Sequence, residues 1–256
     1  RIDVWAAAVA ALLITGAAVA AHYVNEAEDA ATDRLTARTG FSGGSGALEA
    51  SGVEPSLPLR LGLLLAGVVA TATWIAWLTQ ALPGAAATIM LVGLVGALFY
   101  SLPPLAAMRH GWGEVLNAVL GGMLLPLAGV ALVSGRIGGT DVLAFLPFTL
   151  VALASVMATA WPDRAADAAT GKATLQVRLR PTALRRIHAT ATVGFIAATV
   201  VAAATEALPY ALAGLLVVPA LLVGAVSYTR RTSPLPNVVA MVGLAVLLVL
   251  ANATAV

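Results

Sequence analysis

The sequence predicts an all-α membrane protein in which about eight transmembrane helices form one bundle. Of the 256 residues, 60% are hydrophobic and only 10% are charged, whereas a soluble globular domain carries about 25% charged residues. The mean hydropathy is +0.95. So few charges cannot cover a surface that faces water, so most of the protein must face lipid. Because backbone groups find no water partners in lipid, helix is the expected conformation.

Eight apolar segments are long enough to cross a hydrocarbon core about 30 Å thick, which takes about 20 helical residues. Pro, Gly and charged residues mark the ends of these segments. The predicted helices are 4–24, 59–80, 83–101, 113–134, 141–162, 182–205, 208–229 and 236–255. We expect them to form a single transmembrane domain over residues 1–256.

Lys and Arg are divided very unequally between the two sides of this bundle. Twelve of them fall on one side, and only Arg1 and Arg136 fall on the other. Positive residues collect on the cytoplasmic side, which predicts a multi-pass cell-membrane protein whose long loops 25–58 and 163–181 are cytoplasmic. The twelve are Arg34, Arg38, Arg60, Arg109, Arg164, Lys172, Arg178, Arg180, Arg185, Arg186, Arg230 and Arg231.

Net charge and cysteine content restrict the possible partners and metal sites, and the first residue bears on where the natural chain begins. A net charge of +2 gives no indication of a nucleic-acid partner, and the absence of cysteine excludes disulfides and thiolate metal sites. Arg1 directly precedes an apolar run that lacks the features of a signal peptide. We therefore expect the natural start, and one more helix, to lie upstream.

Two acidic motifs with the same spacing occur where a predicted helix leaves the membrane on the cytoplasmic side. Asn25, Asp29 and Asp33 follow the first helix, and Asp163 and Asp167 follow the fifth. Residues four apart lie near one face of a helix, so each motif forms a stripe of oxygen ligands. Four helices separate the motifs, which predicts two pseudo-symmetric four-helix halves with a shared site between them.

The two stripes would repel each other unless cations bridged them. Hard oxygen ligands select Mg²⁺ or Ca²⁺, and Mg²⁺ is usually held by few carboxylates together with substrate phosphates. The pattern therefore favours capture of a diphosphate by Mg²⁺ at the membrane surface. For either motif alone, a solvated helix end is an equally good interpretation.

These motifs, together with three further stretches, resemble the UbiA superfamily of intramembrane prenyltransferases. The stretches are YSLPPL at 100–105 with RHGWGE at 109–114, GKATLQVRL at 171–179, and the glycine-rich FSGGSGAL at 41–48. The resemblance runs from about Tyr23 to Leu179. It implies a bundle of nine helices, of which this sequence lacks the first.

The resemblance also implies roles for individual residues. Mg²⁺ and, through it, an isoprenyl diphosphate would be bound by Asn25, Asp29, Asp33, Asp163 and Asp167, and the four aspartates would be catalytic. The substrate-binding residues would be Asn25, Arg38, Arg109, Lys172 and Tyr100. The implied reaction is a Mg²⁺-dependent transfer of the isoprenyl group, through carbocation chemistry, to an aromatic quinone precursor.

Several of these residues also have plainer interpretations. Arg38 and Arg109 can also be explained by the excess of positive charge on the cytoplasmic side, although the site role is favoured. Tyr100 can serve as a polar packing residue, and Glu114 suits the start of a helix as an ordinary N-terminal acid. Glycines 43, 44 and 46 fit a flexible loop better than a phosphate cradle.

Differences between branches of the superfamily favour one acceptor. The glycine-rich loop and the GKATLQVRL stretch resemble the dihydroxynaphthoate, or menaquinone-pathway, branch. The RTxxRPL stretch typical of the 4-hydroxybenzoate branch is replaced by Arg38-Thr39-Gly40-Phe41-Ser42. We therefore expect a bicyclic aromatic acceptor.

Four other functions are compatible with parts of this pattern or are excluded by it. A terpene cyclase of the same superfamily would use the same metal site without an acceptor, and a non-aromatic lipid precursor could replace the aromatic acceptor. A cation transporter is disfavoured because its acidic residues would lie near the membrane midplane. A CDP-alcohol phosphotransferase is excluded because its DGxxAR motif is missing.

Overall fold

The protein is all-helical in a computed structural model that describes residues 3–208 and 211–253. Within these residues there is no β-strand. The α-helices are α1 (Val4–Asp33), α2 (Ala47–Ser51), α3 (Ser56–Leu78), α4 (Gly84–Ser101), α5 (Gly113–Val119), α6 (Leu125–Ser134), α7 (Gly139–Thr159), α8 (Arg164–Ala169), α9 (Leu175–Arg178), α10 (Pro181–Ala204), α11 (Val218–Ser227) and α12 (Leu235–Ala253). A π-helical turn, Leu120–Leu124, joins α5 to α6, and 3-10 turns occupy Ala107–Arg109 and Ala211–Val217.

The predicted fold class, an all-α membrane bundle, is confirmed. Six helices of the described chain are long and apolar enough to cross a bilayer: Val4–Asp33, Ser56–Leu78, Gly84–Ser101, Gly113–Ser134, Gly139–Thr159 and Pro181–Ala204. Two shorter apolar helices, Ala211–Ser227 and Leu235–Ala251, occupy the last two predicted segments. Residues 209–210 and 254–255 of those segments lie outside the described residues, and the single domain and its pseudo-symmetry stay predictions.

Helix α1 continues nine residues beyond the predicted apolar segment. Hydrophobic length locates the embedded part of a helix, but the following stretch, 25–33, is rich in Ala and Glu, which are strong helix formers. The helix therefore ends only at Asp33. At its other end the carboxylate of Asp3 caps it by accepting hydrogen bonds from the backbone N–H groups of Trp5 and Ala6. As a result, the whole first acidic motif lies on helix.

The second motif does not continue the fifth membrane helix, because α7 ends at Thr159. Pro162 follows closely, and a proline disfavours the helical conformation of the residue before it. The chain restarts as the short helix α8, with Asp163 at its N-cap and Asp167 within its first turn. The two aspartates are thus carried by an element separate from the membrane span.

Each half of the bundle has its own apolar core. In the first, α1 packs along α3, and Ala10, Leu13, Ala66 and Val69 are buried at this contact. In the second, α7 packs along α10 and α12 around Phe195 and further residues. Small residues such as alanine let membrane helices approach closely and gain van der Waals contact.

A π-helical turn lies where α5 and α6 pass α7. Pro126, at the start of α6, has no N–H to donate to the carbonyl of Gly122, which favours a local change of helix type here. Gly122 also lies close to the backbone of α7, since a Cβ at this position would lie 2.6 Å from Cα of Thr149. This contact requires glycine.

We predict that Gly122→Ala destabilises the protein by about 1–3 kcal/mol, because the added methyl group must displace backbone in a packed interface. The matched control is Gly121→Ala, whose Cβ would meet nothing within 4 Å. Thermal unfolding in detergent measures both. Equal melting temperatures for the two variants would contradict this account of the interface.

Candidate active site

One polar cavity of about 90 Å³ lies at the ends of α1 and α4, beside α8. It contains six of the residues predicted to act on substrate or metal. These are Asp29, Asp33, Tyr100, Asp163, Asp167 and Lys172. The other lining residues are Thr32, Met108, Gly113, Glu114, Val156, Ala160 and Thr174. The structure thus brings together the two acidic motifs, which are 130 residues or more apart in the sequence.

Asn25 lies behind the cavity rather than on its wall. Its Nδ2 donates to Oδ2 of Asp29 at 3.0 Å and lies 3.4 Å from Oγ of Ser101 at the end of α4. Asn25 therefore fixes the orientation of the Asp29 carboxylate. Its predicted role as a metal ligand stays a prediction.

Lys172, the only lysine in the sequence, joins the two motifs. Its ammonium forms an ion pair with Oδ1 of Asp29 and lies 3.8 Å from Oδ1 of Asp167. Lys172 and Asp167 are each 5% exposed. Thr174 completes the surroundings of Asp167 by donating from Oγ1 to Oδ2 at 3.2 Å. One buried positive charge therefore faces carboxylates from both α1 and α8.

The backbone around Lys172 is held firmly enough to position its side chain. After α8 the chain turns at Gly171, whose φ of +77° suits glycine. The N–H of Lys172 then donates to the carbonyl of Asp167 at 2.9 Å, and the N–H of Ala173 donates to that of Arg109 at 3.0 Å. Helix α8 is in turn tied to α1 by a hydrogen bond of 3.1 Å between the hydroxyls of Thr32 and Thr170.

The carboxylates outnumber this single ammonium, and their protonation is shifted accordingly. Burial raises the pKa of Asp163 to about 7, and the negative charges of Asp167, Asp33 and Asp29 add to the shift. Burial also raises the pKa of Asp167, against the opposing effects of Lys172 and Thr174. Oδ1 of Asp163 is buried and has no hydrogen-bond partner in the described part of the chain. The cavity therefore has room for more positive charge.

This donor set suits Mg²⁺ chemically, since it consists of hard carboxylate oxygens. Over residues 3–208 and 211–253, however, no three carboxylate or imidazole groups are grouped as a preformed metal site. Mg²⁺ commonly takes one or two carboxylates and completes its coordination with water and substrate phosphates. A site that assembles only with a phosphate ligand fits both observations.

Arg38 and Arg109 do not line the cavity. Nη2 of Arg38 lies 3.1 Å from Oε2 of Glu49, and Nη2 of Arg109 lies 3.2 Å from Oε2 of Glu28. Both arginines are thus paired with acids near the mouth of the site. Their predicted contact with a diphosphate stays a prediction.

The glycine-rich loop packs directly against the first motif. Gly44 and Gly46 have φ values of +61° and +72°. A Cβ on Gly44 would overlap the carboxylate of Asp33, and one on Gly46 would overlap the guanidinium of Arg38. The loop therefore uses glycine both for its left-handed backbone and for close contact with charged groups.

Glu114 and Thr174 line the cavity, although the sequence did not lead us to include them among the site residues. Glu114 is 4% exposed, which an ordinary N-terminal acid would not be. The signal for both residues was their position inside the RHGWGE and GKATLQVRL stretches. That signal could not separate a role in the cavity from a role in capping a helix.

A second, apolar cavity of about 220 Å³ lies deeper along the same helices. Its wall includes Ala97, one turn before Tyr100 on α4, and Gly121, two turns beyond Glu114. Among the described residues on this wall, the only hydroxyl is that of Thr73, which donates to the carbonyl of Val69 at 2.8 Å. This chamber offers a hydrocarbon chain an apolar environment below a charged end.

Comparison with known proteins identifies one family. Residues 1–247 match the model of the UbiA prenyltransferase family. Searches of curated proteins and of solved structures found no match. The resemblance inferred from the motifs is confirmed at the level of the superfamily, and the match covers all but the last nine residues of the chain. The protein belongs to the UbiA prenyltransferase family.

Proposed function

We propose that this member of the family transfers an isoprenyl group from a polyprenyl diphosphate to an aromatic quinone precursor. Family membership supports an intramembrane prenyltransferase in general. The observation that carries the proposed donor is the position of Lys172 between Asp29 and Asp167, in the polar cavity next to an apolar chamber. A diphosphate with a long hydrocarbon tail has the same division between a charged head and an apolar chain.

The two aspartate motifs are proposed to receive the diphosphate head. Asp29 and Asp33 of α1, with Asp163 and Asp167 of α8, are the residues that would hold Mg²⁺, and Asn25 would support Asp29 from behind. When bound, Mg²⁺ would neutralise the diphosphate as a leaving group. The ammonium of Lys172 lies among these carboxylates. When the diphosphate binds, the ammonium would contact phosphate oxygens in place of the carboxylates. Arg38 and Arg109 would add positive charge at the mouth.

The reaction itself separates charge in an environment that contains little water. The allylic C–O bond breaks, the electron pair leaves with the diphosphate, and an electron-rich carbon of the acceptor forms a new bond to the allylic carbon. Positive groups placed where negative charge grows stabilise this transition state. The apolar chamber shields the cationic allyl group from water and accommodates the rest of the isoprenyl chain.

The acceptor is proposed to be a bicyclic, dihydroxynaphthoate-type compound that reaches the site from the cytoplasm. Support comes from the resemblance of the GGSG loop and the GKATLQVRL stretch to the dihydroxynaphthoate branch. Lys172 and Thr174 of the second stretch line the cavity, and Gly44 of the loop packs against Asp33. The distribution of Lys and Arg supports a cell-membrane location with this cavity on the cytoplasmic side. A terpene cyclase without an acceptor, or transfer to a non-aromatic lipid precursor, is the alternative.

The test is product analysis with purified protein, a polyprenyl diphosphate and one acceptor at a time. We expect prenylated dihydroxynaphthoate in the presence of Mg²⁺ and none in excess chelator, because the carboxylates need a divalent cation to receive the diphosphate. Prenylation of 4-hydroxybenzoate alone would overturn the branch. A cyclic hydrocarbon formed without acceptor would establish the cyclase, and full turnover in chelator would rule out the metal-dependent mechanism.

A further prediction concerns the pH dependence of stability without metal. The pKa of Asp163 is about 7 in the folded protein and 3.8 ordinarily. Between these values the folded protein keeps a proton that the unfolded chain has lost. The stabilising contribution is therefore complete below pH 3.8 and is lost as the pH rises through about 7.

In chelator, the melting temperature of the wild type should accordingly fall relative to that of Asp163→Asn between pH 5 and pH 8. The asparagine variant cannot ionise at this position and provides the control. Adding Mg²⁺ with inorganic diphosphate at pH 8 should restore much of the loss in the wild type alone. If the melting temperatures of the two proteins changed equally with pH across this range, ionisation of Asp163 would not destabilise the folded protein and the prediction would be wrong.

A further inference from the structure

Glu114 is a buried carboxylate at the cavity whose two oxygens have different surroundings. Oε1 accepts a hydrogen bond of 3.2 Å from the backbone N–H of Leu175. Oε2 is buried and makes no hydrogen bond within the described residues. Because a buried polar atom without a partner is costly, it requires an explanation. Glu114 lines the cavity, so a bound molecule is one available partner.

Glu114 is distinct from the carboxylates proposed to hold Mg²⁺. Those four belong to α1 and α8, whereas Glu114 begins the α5 segment and shares its part of the cavity wall with Met108 and Gly113. It is the fifth carboxylate on this wall and the one outside both acidic motifs. When the other four are engaged with metal and diphosphate, Glu114 remains free to accept a proton.

Its position is also coupled to the proposed diphosphate site. Leu175, which holds Oε1, is three residues after Lys172 and next to Thr174, the hydrogen-bond donor to Asp167. Gly113 brings the start of α5 against the neighbouring turn, since a Cβ there would lie 2.8 Å from Cα of Met108. The carboxylate is thereby fixed relative to the ammonium that faces the leaving group.

We propose that Glu114 is a catalytic base that takes the proton from a hydroxyl group of the acceptor as the isoprenyl group is transferred. This inference rests on the proposed function. The C–O bond to diphosphate breaks first, and its electron pair leaves with the diphosphate. The hydroxyl proton of the acceptor then passes to Oε2, the oxygen's electrons flow into the ring, and a ring carbon bonds to the allylic cation. The dienone formed then returns to an aromatic ring when the attacked carbon loses its proton to the released diphosphate, or its carboxylate group as carbon dioxide, and the electron pair stays in the ring.

The variant that isolates this role is Glu114→Gln. Its side-chain carbonyl can still accept the hydrogen bond from Leu175, but an amide cannot take a proton. Loss of a positioned general base typically costs about 10²–10⁴-fold in rate. We expect a loss of that order in prenylated product, while diphosphate release continues and the isoprenyl cation is captured by water as an alcohol.

A pair of acceptors makes the test specific: a hydroxylated arene and its methyl ether, which has no proton to give. Wild type and Glu114→Gln should differ strongly on the hydroxylated arene and hardly at all on the ether. The control is Gln176→Leu, which breaks the 3.0 Å hydrogen bond from Nε2 of Gln176 to the carbonyl of Met157. This disturbance of the same segment should slow both acceptors by the same factor.

Three results would overturn the role of Glu114. One is wild-type product formation by Glu114→Gln, and another is an equal loss on both acceptors, which would make the residue a structural anchor for Leu175. The third is a parallel fall in diphosphate release and product. A wild type that releases no diphosphate with any acceptor is a different outcome, because it overturns the proposed function itself and the role of Glu114 with it.

Discussion

The buried ammonium of Lys172, held between Asp29 of α1 and Asp167 of α8, is the interaction on which the site depends. Carboxylates that are brought together in a region of low dielectric constant repel each other strongly. Four of them meet here, and burial, followed by the negative charges of Asp167, Asp33 and Asp29, raises the pKa of Asp163 despite the opposing charge of Lys172. Removing one partner of a buried ion pair leaves an uncompensated charge and typically costs about 3–5 kcal/mol. The excess of carboxylates over ammonium groups would favour binding of a divalent cation together with a phosphate ligand.

The membrane helices position the acidic motifs and form the apolar chamber beside them. Packing of α1 on α3 and of α7 on α10 gives two separate apolar cores. The supports of the two acidic motifs are α1 and the short helix α8, which contacts α1 and α9. The hydroxyls of Thr32 and Thr170 connect these supports at the cavity. Below the charged groups, the chamber beside α4 is almost free of polar atoms. A head-and-tail substrate, polar at one end and apolar along its length, suits this division.

Much of the fold could be predicted from the sequence, because hydrophobic length and loop charge directly reflect the bilayer. The spacing of the acidic motifs also indicated that they share a site. Hydropathy could not show that α1 continues to Asp33, since that extension depends on helix propensity in water. Nor could it show that Pro162 separates Asp163 from α7. The i, i+4 spacing of the acidic residues indicates which of them share a helix face, but it does not indicate where a helix is interrupted.

The side chains around the cavity were harder to predict than the helices. Lys172 could be singled out as the only lysine, but its place between two carboxylates depends on contacts across the whole chain. Arg38 and Arg109 pair with Glu49 and Glu28, which no local pattern indicated. Glu114 accepts a hydrogen bond from the backbone N–H of Leu175, about sixty residues later, and no local pattern predicts that contact.

The central claim is that the two acidic motifs form one cation-dependent site. Calorimetric titration of inorganic diphosphate with Mg²⁺ present, on the wild type, Asp29→Asn, Asp163→Asn and the double variant, tests it most directly. If the aspartates share one site, each single variant removes most of the binding free energy, and the double variant loses scarcely more than the weaker-binding single. Additive losses from two independent positions would contradict the claim.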